Sequence, residues 1–117
     1  DVLYERIRWY RGNKRTDWER ALAEEYLERG DYVRAAIYGL ESIISAEIDQ
    51  CGASSNDYED REAAAIRLMD NLDFRTFKQI RNALAHGVRP QNKAIRRFTR
   101  DEASLLKELR FLLEALK

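Results

Sequence analysis

Arg81, Asn82 and His86 bring a permanent cation, an amide and an imidazole within six residues of one another. A guanidinium offers phosphate oxygens a planar fork of donors, an amide both donates and accepts, and an unperturbed imidazole titrates near neutral pH. These are the ingredients of a phosphate-handling site. His86 is the only histidine and Cys51 the only cysteine of the chain, which excludes multi-histidine zinc sites and an internal disulfide framework. Cys51 precedes Gly52 with no histidine near it in sequence, a poor setting for a catalytic thiol. The carboxylate groups Glu24-Glu25, Glu59-Asp60 with Glu62, and Asp101-Glu102 read as helix-start charge and exposed faces, and no chemistry is assigned to them. Neither metal nor cofactor is expected. The competing role for a lone histidine is structural, because a cation near a helix C-terminus favours the helix dipole.

The helix that must position these residues runs from Phe74 to His86, opened by Asp73 and stopped by Gly87 and Pro90. At about 100° per residue, Phe77, Ile80 and Leu84 gather on one side. Asn82 and His86, four apart, lie together nearly opposite, with Arg81 at the edge of their surface. The histidine therefore turns away from the core stripe.

Around this helix the sequence predicts four other helices and a short one at the N-terminus. Leu3, Ile7 and Tyr10 fall at helical spacing before Gly12-Asn13. Thr16-Asp17-Trp18-Glu19 has the form of a capping box and opens a helix to Arg29-Gly30, with Trp18, Leu22 and Tyr26 as its buried side. Asp31 caps the next, whose Val33, Ile37, Leu40, Ile44 and Ile48 recur until Cys51-Gly52. These two form a helical hairpin. Asn56 with Glu59 can cap a helix over Tyr58 to Asn71, Gln91 to Phe98 reads as a basic connection that can hold a helical turn of its own, and Thr99-Arg100-Asp101-Glu102 is a second capping box. It opens a terminal helix with Leu105, Leu106, Leu109, Leu112, Leu113 and Leu116 on one side. Trp9, Trp18, Tyr26, Tyr32 and Tyr38 read as packing residues rather than as base-stacking platforms.

With 117 residues, only five glycines and one proline, the chain fits a single all-α domain over residues 1–117 and excludes a turn-rich sandwich or barrel. No apolar stretch approaches a membrane span and the start lacks the form of a signal peptide, so a soluble, cytoplasmic protein with no membrane partner is expected. The sequence starts without an initiator Met inside what reads as a helix, an expectation of excision from a longer chain.

Arg81-Asn82-Ala83-Leu84-Ala85-His86 is an Arg-Asn-x-x-x-His match, with Gln79-Ile80 before it and Gly87 after it. In this motif, its place near the end of the penultimate long helix and the Leu-rich helix that follows, the chain resembles the HEPN superfamily of helical ribonuclease domains. The hairpin Leu22-Ala23-Glu24-Glu25-Tyr26-Leu27-Glu28-Arg29-Gly30-Asp31-Tyr32 is similar, more narrowly, to the C-terminal HEPN part of CRISPR-associated ancillary ribonucleases, whose N-terminal CARF domain senses cyclic oligoadenylate. The resemblance implies a HEPN-like bundle and a homodimer in which two such motifs face one another as a single site for single-stranded RNA. It also implies metal-independent attack of the ribose 2′-hydroxyl on the adjacent phosphodiester, leaving a 2′,3′-cyclic phosphate and a 5′-hydroxyl. His86 would handle the proton, Arg81 would stabilise phosphate charge and Asn82 would position substrate or histidine. A CARF sensor would stand upstream in the parent chain.

The charge distribution points the same way without the resemblance. Lysines and arginines number 21, as do aspartates and glutamates, so the formal net charge is zero. Yet Phe74 to Arg100 holds eight of the basic residues (Arg75, Lys78, Arg81, Arg89, Lys93, Arg96, Arg97 and Arg100) and no acidic one. Such a segment suits a polyanion, since each phosphate contact releases counterions. Arg75, Lys78, Arg89, Lys93, Arg96 and Arg97 are the expected RNA contacts. The competing reading is a solvated basic segment that pairs with the acidic helices of its own domain. Three functional readings follow: a HEPN endoribonuclease acting in CRISPR type III antiviral defence, a noncatalytic dimerisation or nucleotide-binding module, and the ribonuclease toxin of a toxin-antitoxin pair blocked by a nucleotidyltransferase partner.

Overall fold

A chain this rich in helix formers and periodic apolar residues buries its stripes by packing helix on helix. The computed structural model describes residues 14–53, 57–87 and 92–117, and among these residues the protein is all-α, with six helices and no strand. They are α1 (Arg15–Glu28), α2 (Tyr32–Gln50), α3 (Tyr58–Leu68), α4 (Leu72–His86), α5 (Lys93–Arg100) and α6 (Glu102–Ala115). The expected helix over Val2 to Tyr10, Trp9, and the cap residue Asn56 lie outside the described residues. The segment read as a basic connection is itself helical, as α5. The all-α expectation holds, and the bundle is compatible with the HEPN-like arrangement.

α2 is the hub. Helices α1, α3, α4 and α6 all pack on it, and α5 joins through α4 and α6. Its buried Ala35, Ala36, Leu40, Ile43, Ile44 and Ile48 meet Phe74, Phe77 and Ile80 of α4 and Leu105, Leu109, Leu112 and Leu113 of α6 in one core. Tyr26 and Tyr38 stack at 5.7 Å across the α1–α2 hairpin, and Arg34 lies over the Tyr26 ring. These tyrosines are packing residues, as their spacing predicts.

Gly39, in the middle of α2, faces the Phe77 ring of α4 and the Leu113 side chain of α6. A Cβ there would lie 2.7 Å from the Phe77 ring tip and 2.9 Å from Leu113 Cδ2, so only glycine admits both side chains. Phe77 and Leu113 are themselves buried, which leaves little room to give way.

A polar spine crosses the same core beside the apolar one. Ser45 Oγ donates to Glu19 at 2.6 Å, Arg61 Nη1 donates to Ser45 Oγ at 3.0 Å, and Arg61 also pairs with Glu41 and with its backbone carbonyl. Arg15 pairs with Glu19 from the previous turn of α1. The buried stripe of α1 is thus Glu19, Ala23 and Leu27, with Trp18, Leu22 and Tyr26 only half-buried, one residue out of phase with the expected stripe. Neither expected capping box forms. Thr16 bonds Asp49 at 2.8 Å and Thr99 bonds carbonyls of its own helix, while the side chains that cap α2, α3, α4 and α6 are Asp31, Asp57, Asn71 and Asp101. The cap of α4 is therefore Asn71 rather than Asp73, and α3 ends at Leu68 so that Asn71 is free to serve the next helix.

Burial pushes the Glu19 carboxyl above its ordinary pKa, and its contacts with Ser45, Arg15 and Arg61 offset that only in part. A carboxyl raised in the native state binds its proton more tightly there than in the unfolded chain. Its contribution to stability is complete below the unfolded pKa of about 4.3 and is lost as pH rises through the raised native value.

Two predictions arise from this packing. Gly39→Ala is expected to destabilise by about 1–3 kcal/mol in urea unfolding despite alanine's better helix propensity. Adding Phe77→Leu should recover part of the loss, and an unchanged midpoint for Gly39→Ala alone would refute the close approach. Glu19→Gln, which keeps an acceptor for Ser45 but cannot ionise, should gain stability relative to wild type as pH rises from about 4 to 7. Parallel melting curves across that range would contradict the assignment.

Candidate functional site

α4 is amphipathic for a physical reason: its core side is set by Phe74, Phe77 and Ile80, all buried, with Leu84 packed beside them. Arg75, Lys78, Asn82 and His86 recur at three- and four-residue steps on its other side, as one stripe. The helix ends at Gly87, whose φ of 66° is the left-handed conformation that closes a helix C-terminus at least cost in glycine. That stop leaves His86 exposed in the last turn.

The three expected site residues are joined by one nitrogen. Arg81 Nη1 donates to Asn82 Oδ1 at 3.0 Å and lies 3.2 Å from His86 Nε2. A guanidinium has donors only, so the second contact makes Nε2 the acceptor and leaves the proton of a neutral ring on Nδ1. Position 81 points about 100° from position 82, yet its long side chain wraps from the core edge to the polar stripe. Arg81 is the bridge of the site rather than its margin. Its Nε is shielded from water and makes no hydrogen bond among the described residues. The lone histidine is thus held by a cation through Nε2, an arrangement different from a ring that caps helix carbonyls.

The arginines divide by what they face. Arg15, Arg20, Arg29, Arg34, Arg61 and Arg67 each form an ion pair with a glutamate or aspartate. Arg75, Arg81, Arg96, Arg97 and Arg100 form no such pair among the described residues. Arg75 instead donates to the Met69 carbonyl at 3.1 Å. Internal pairing of the basic segment with acidic helices, the competing reading of its charge, is not what these residues do.

Of the six expected RNA contacts, the structure places Arg75 and Lys78 on α4, and Lys93, Arg96 and Arg97 together on α5. Arg89 lies outside the described residues. The last three line a cleft of about 370 Å³ with Arg100 as its fourth wall. Arg100 was readable only as part of the charge excess, although its position four residues after Arg96 was the available signal. Among the described residues no three His, Cys, Asp or Glu side chains gather as a metal site, and no helix is long and apolar enough to cross a membrane. No family model, curated protein or solved structure matches the chain, so function has to be read from the side chains of α4 and α5 themselves.

Proposed function

We propose that this chain is a metal-independent endoribonuclease domain of HEPN type. It cleaves single-stranded RNA at a composite site made when two copies of α4 face each other in a homodimer. The observation that carries this reading is the Arg81 side chain, which contacts both Asn82 and His86 and forms no ion pair with a carboxylate among the described residues. A guanidinium held against an amide and an imidazole is pre-placed for a phosphate and keeps its charge for it.

In the proposed reaction the 2′-oxygen attacks the adjacent phosphorus, the O2′–P bond forms and the P–O5′ bond breaks. One protomer's imidazole accepts the 2′-hydroxyl proton at Nε2, Arg81 moves from that nitrogen to the phosphate oxygens, and the partner's protonated ring donates to the departing 5′-oxygen. Asn82 keeps the ring and the substrate in register. The products are a 2′,3′-cyclic phosphate and a 5′-hydroxyl, and the net charge of the phosphodiester is unchanged. The same proposal places the chain as the effector half of a CRISPR type III defence protein, with an upstream CARF domain that reads cyclic oligoadenylate.

The deciding experiment is cleavage of end-labelled single-stranded RNA in excess EDTA, with folding and dimerisation checked for each variant. Wild type is expected to leave cyclic phosphate ends, with His86→Ala slower by at least about 10²-fold and Arg81→Ala by about 10²–10³-fold. A wild-type rate no higher than that of His86→Ala would favour the noncatalytic binding module. Restoring the upstream sequence of the parent chain should make cleavage respond to cyclic oligoadenylate, and a response to a nucleotidyltransferase partner in its place would favour the toxin reading.

A further inference from the structure

α5 is a short helix whose composition opposes its own folding. Lys93, Arg96, Arg97 and Arg100 stand at i, i+3, i+4 and i+7, so every neighbouring pair on that face is like-charged, and each such pair destabilises a helix. No acidic residue lies in α5, Lys93 sits in the first turn where the helix dipole disfavours a cation, and none of the four forms an ion pair among the described residues. What holds the helix is its other side: Ile95 is buried and Phe98 packs against the core. The core thus fixes in place a cationic face that gives the fold nothing in return.

The cleft on that face, about 370 Å³, is lined, among the described residues, by these four side chains. Its chemistry selects among polyanions. A lipid surface is held by a helix that also inserts apolar side chains, and the apolar side chains named in α5 point into the core instead. A protein partner's anchors need apolar or aromatic pockets, and this lining has none. Four cations on one helical face, without aromatics for stacking in the cleft lining, match a phosphate backbone contacted by charge alone.

We propose that α5 is an RNA-gripping surface separate from the cleaving stripe of α4. Lys93, Arg96, Arg97 and Arg100 hold the backbone of a single-stranded RNA without reading its bases, so that affinity resides on α5 and chemistry on α4. This rests on the ribonuclease reading for the identity of the strand. The grip itself is measured without cleavage.

The test is fluorescence anisotropy of a labelled oligouridylate on the full chain carrying His86→Ala, from 50 to 300 mM NaCl. Lys93→Gln, Arg96→Gln, Arg97→Gln and Arg100→Gln combined are expected to weaken binding at least about tenfold at low salt. They should also lower the slope of log affinity against log salt by about 2 to 3, at roughly 0.7 per phosphate contact on single strands. Arg29→Gln, Arg34→Gln, Lys107→Gln and Lys117→Gln combined remove the same charge elsewhere and should leave that slope within about one of the parent's. Should the α5 quadruple variant not fold, Arg97→Gln with Arg100→Gln alone is expected to lower the slope by about 1 to 2. A slope change no larger than the control's overturns the proposal, as does tighter binding to phosphatidylserine vesicles than to RNA. Cleavage by wild type alongside an unaltered slope in the α5 variant would sink the grip and leave the ribonuclease standing. Loss of the slope without any wild-type cleavage would do the reverse.

Discussion

The Phe77 ring resting on the bare backbone of α2 at Gly39 is the contact on which the arrangement of the domain depends. Glycine inside a helix costs about 1 kcal/mol relative to alanine, and here that cost is offset by burying an entire aromatic side chain and the Leu113 side chain against it. Because Phe77 enters so deeply, α4 can turn only one way. The rotation that drives Phe74, Phe77 and Ile80 inward turns Asn82 and His86 outward, so the depth of one ring decides which surface carries the site.

The polar spine adds a different kind of constraint. Apolar packing tolerates slippage of one helix along another, whereas Glu19, Ser45, Arg61 and Glu41 have hydrogen-bond partners in only one register. A buried ionic cluster of this kind is a poor source of net stability, as the raised pKa of Glu19 also indicates. Its effect is to lock α1 and α3 to α2. α4 and α6 join α2 through the apolar core, whereas α1 and α3 share that core and add the polar spine to it.

What could be read from the sequence follows from the range of each interaction. Gly30, Gly52 and Gly87 end their helices as read, and all three have positive φ, because a helix stop is decided within a few residues. The leucines of α6 and the opposition of Asn82 and His86 to Phe77 are likewise properties of periodicity alone. Thr16 and Glu19 failed as a capping box because partners 33 and 26 residues away, Asp49 and Ser45, won their side chains. Burial of Glu19 then shifted the stripe of α1 by one residue, which no apolar count can anticipate. α5 was legible only as a connection with room for a helical turn, because Ile95 and Phe98 are too few to make a period and its helix is supported by the core they enter. Asn82 and His86 were legible as neighbours, but the bridging role of Arg81 was not, since it depends on the reach of a flexible side chain rather than on its angle.

The segregation of charge ties these elements to function. In the first half every described arginine is matched by a carboxylate, and the ion pairs it makes lie within or between α1, α2, α3 and α6. Between Phe74 and Arg100 the sequence holds no acidic residue while arginines continue, and those described there form no ion pair among the described residues although the whole chain is neutral. Cations that stabilised the fold would be expected to find carboxylates, as the first set does. The second set sits on helices anchored by buried apolar residues, Phe77 and Ile80 in α4 and Ile95 in α5, with Arg75, Arg97 and Arg100 exposed and Arg81 and Arg96 half-buried. A surface built this way suits a ligand that brings several negative charges in a row. A phosphodiester strand does so, and the single imidazole of the chain stands at the end of the same helix face that such a strand would cross.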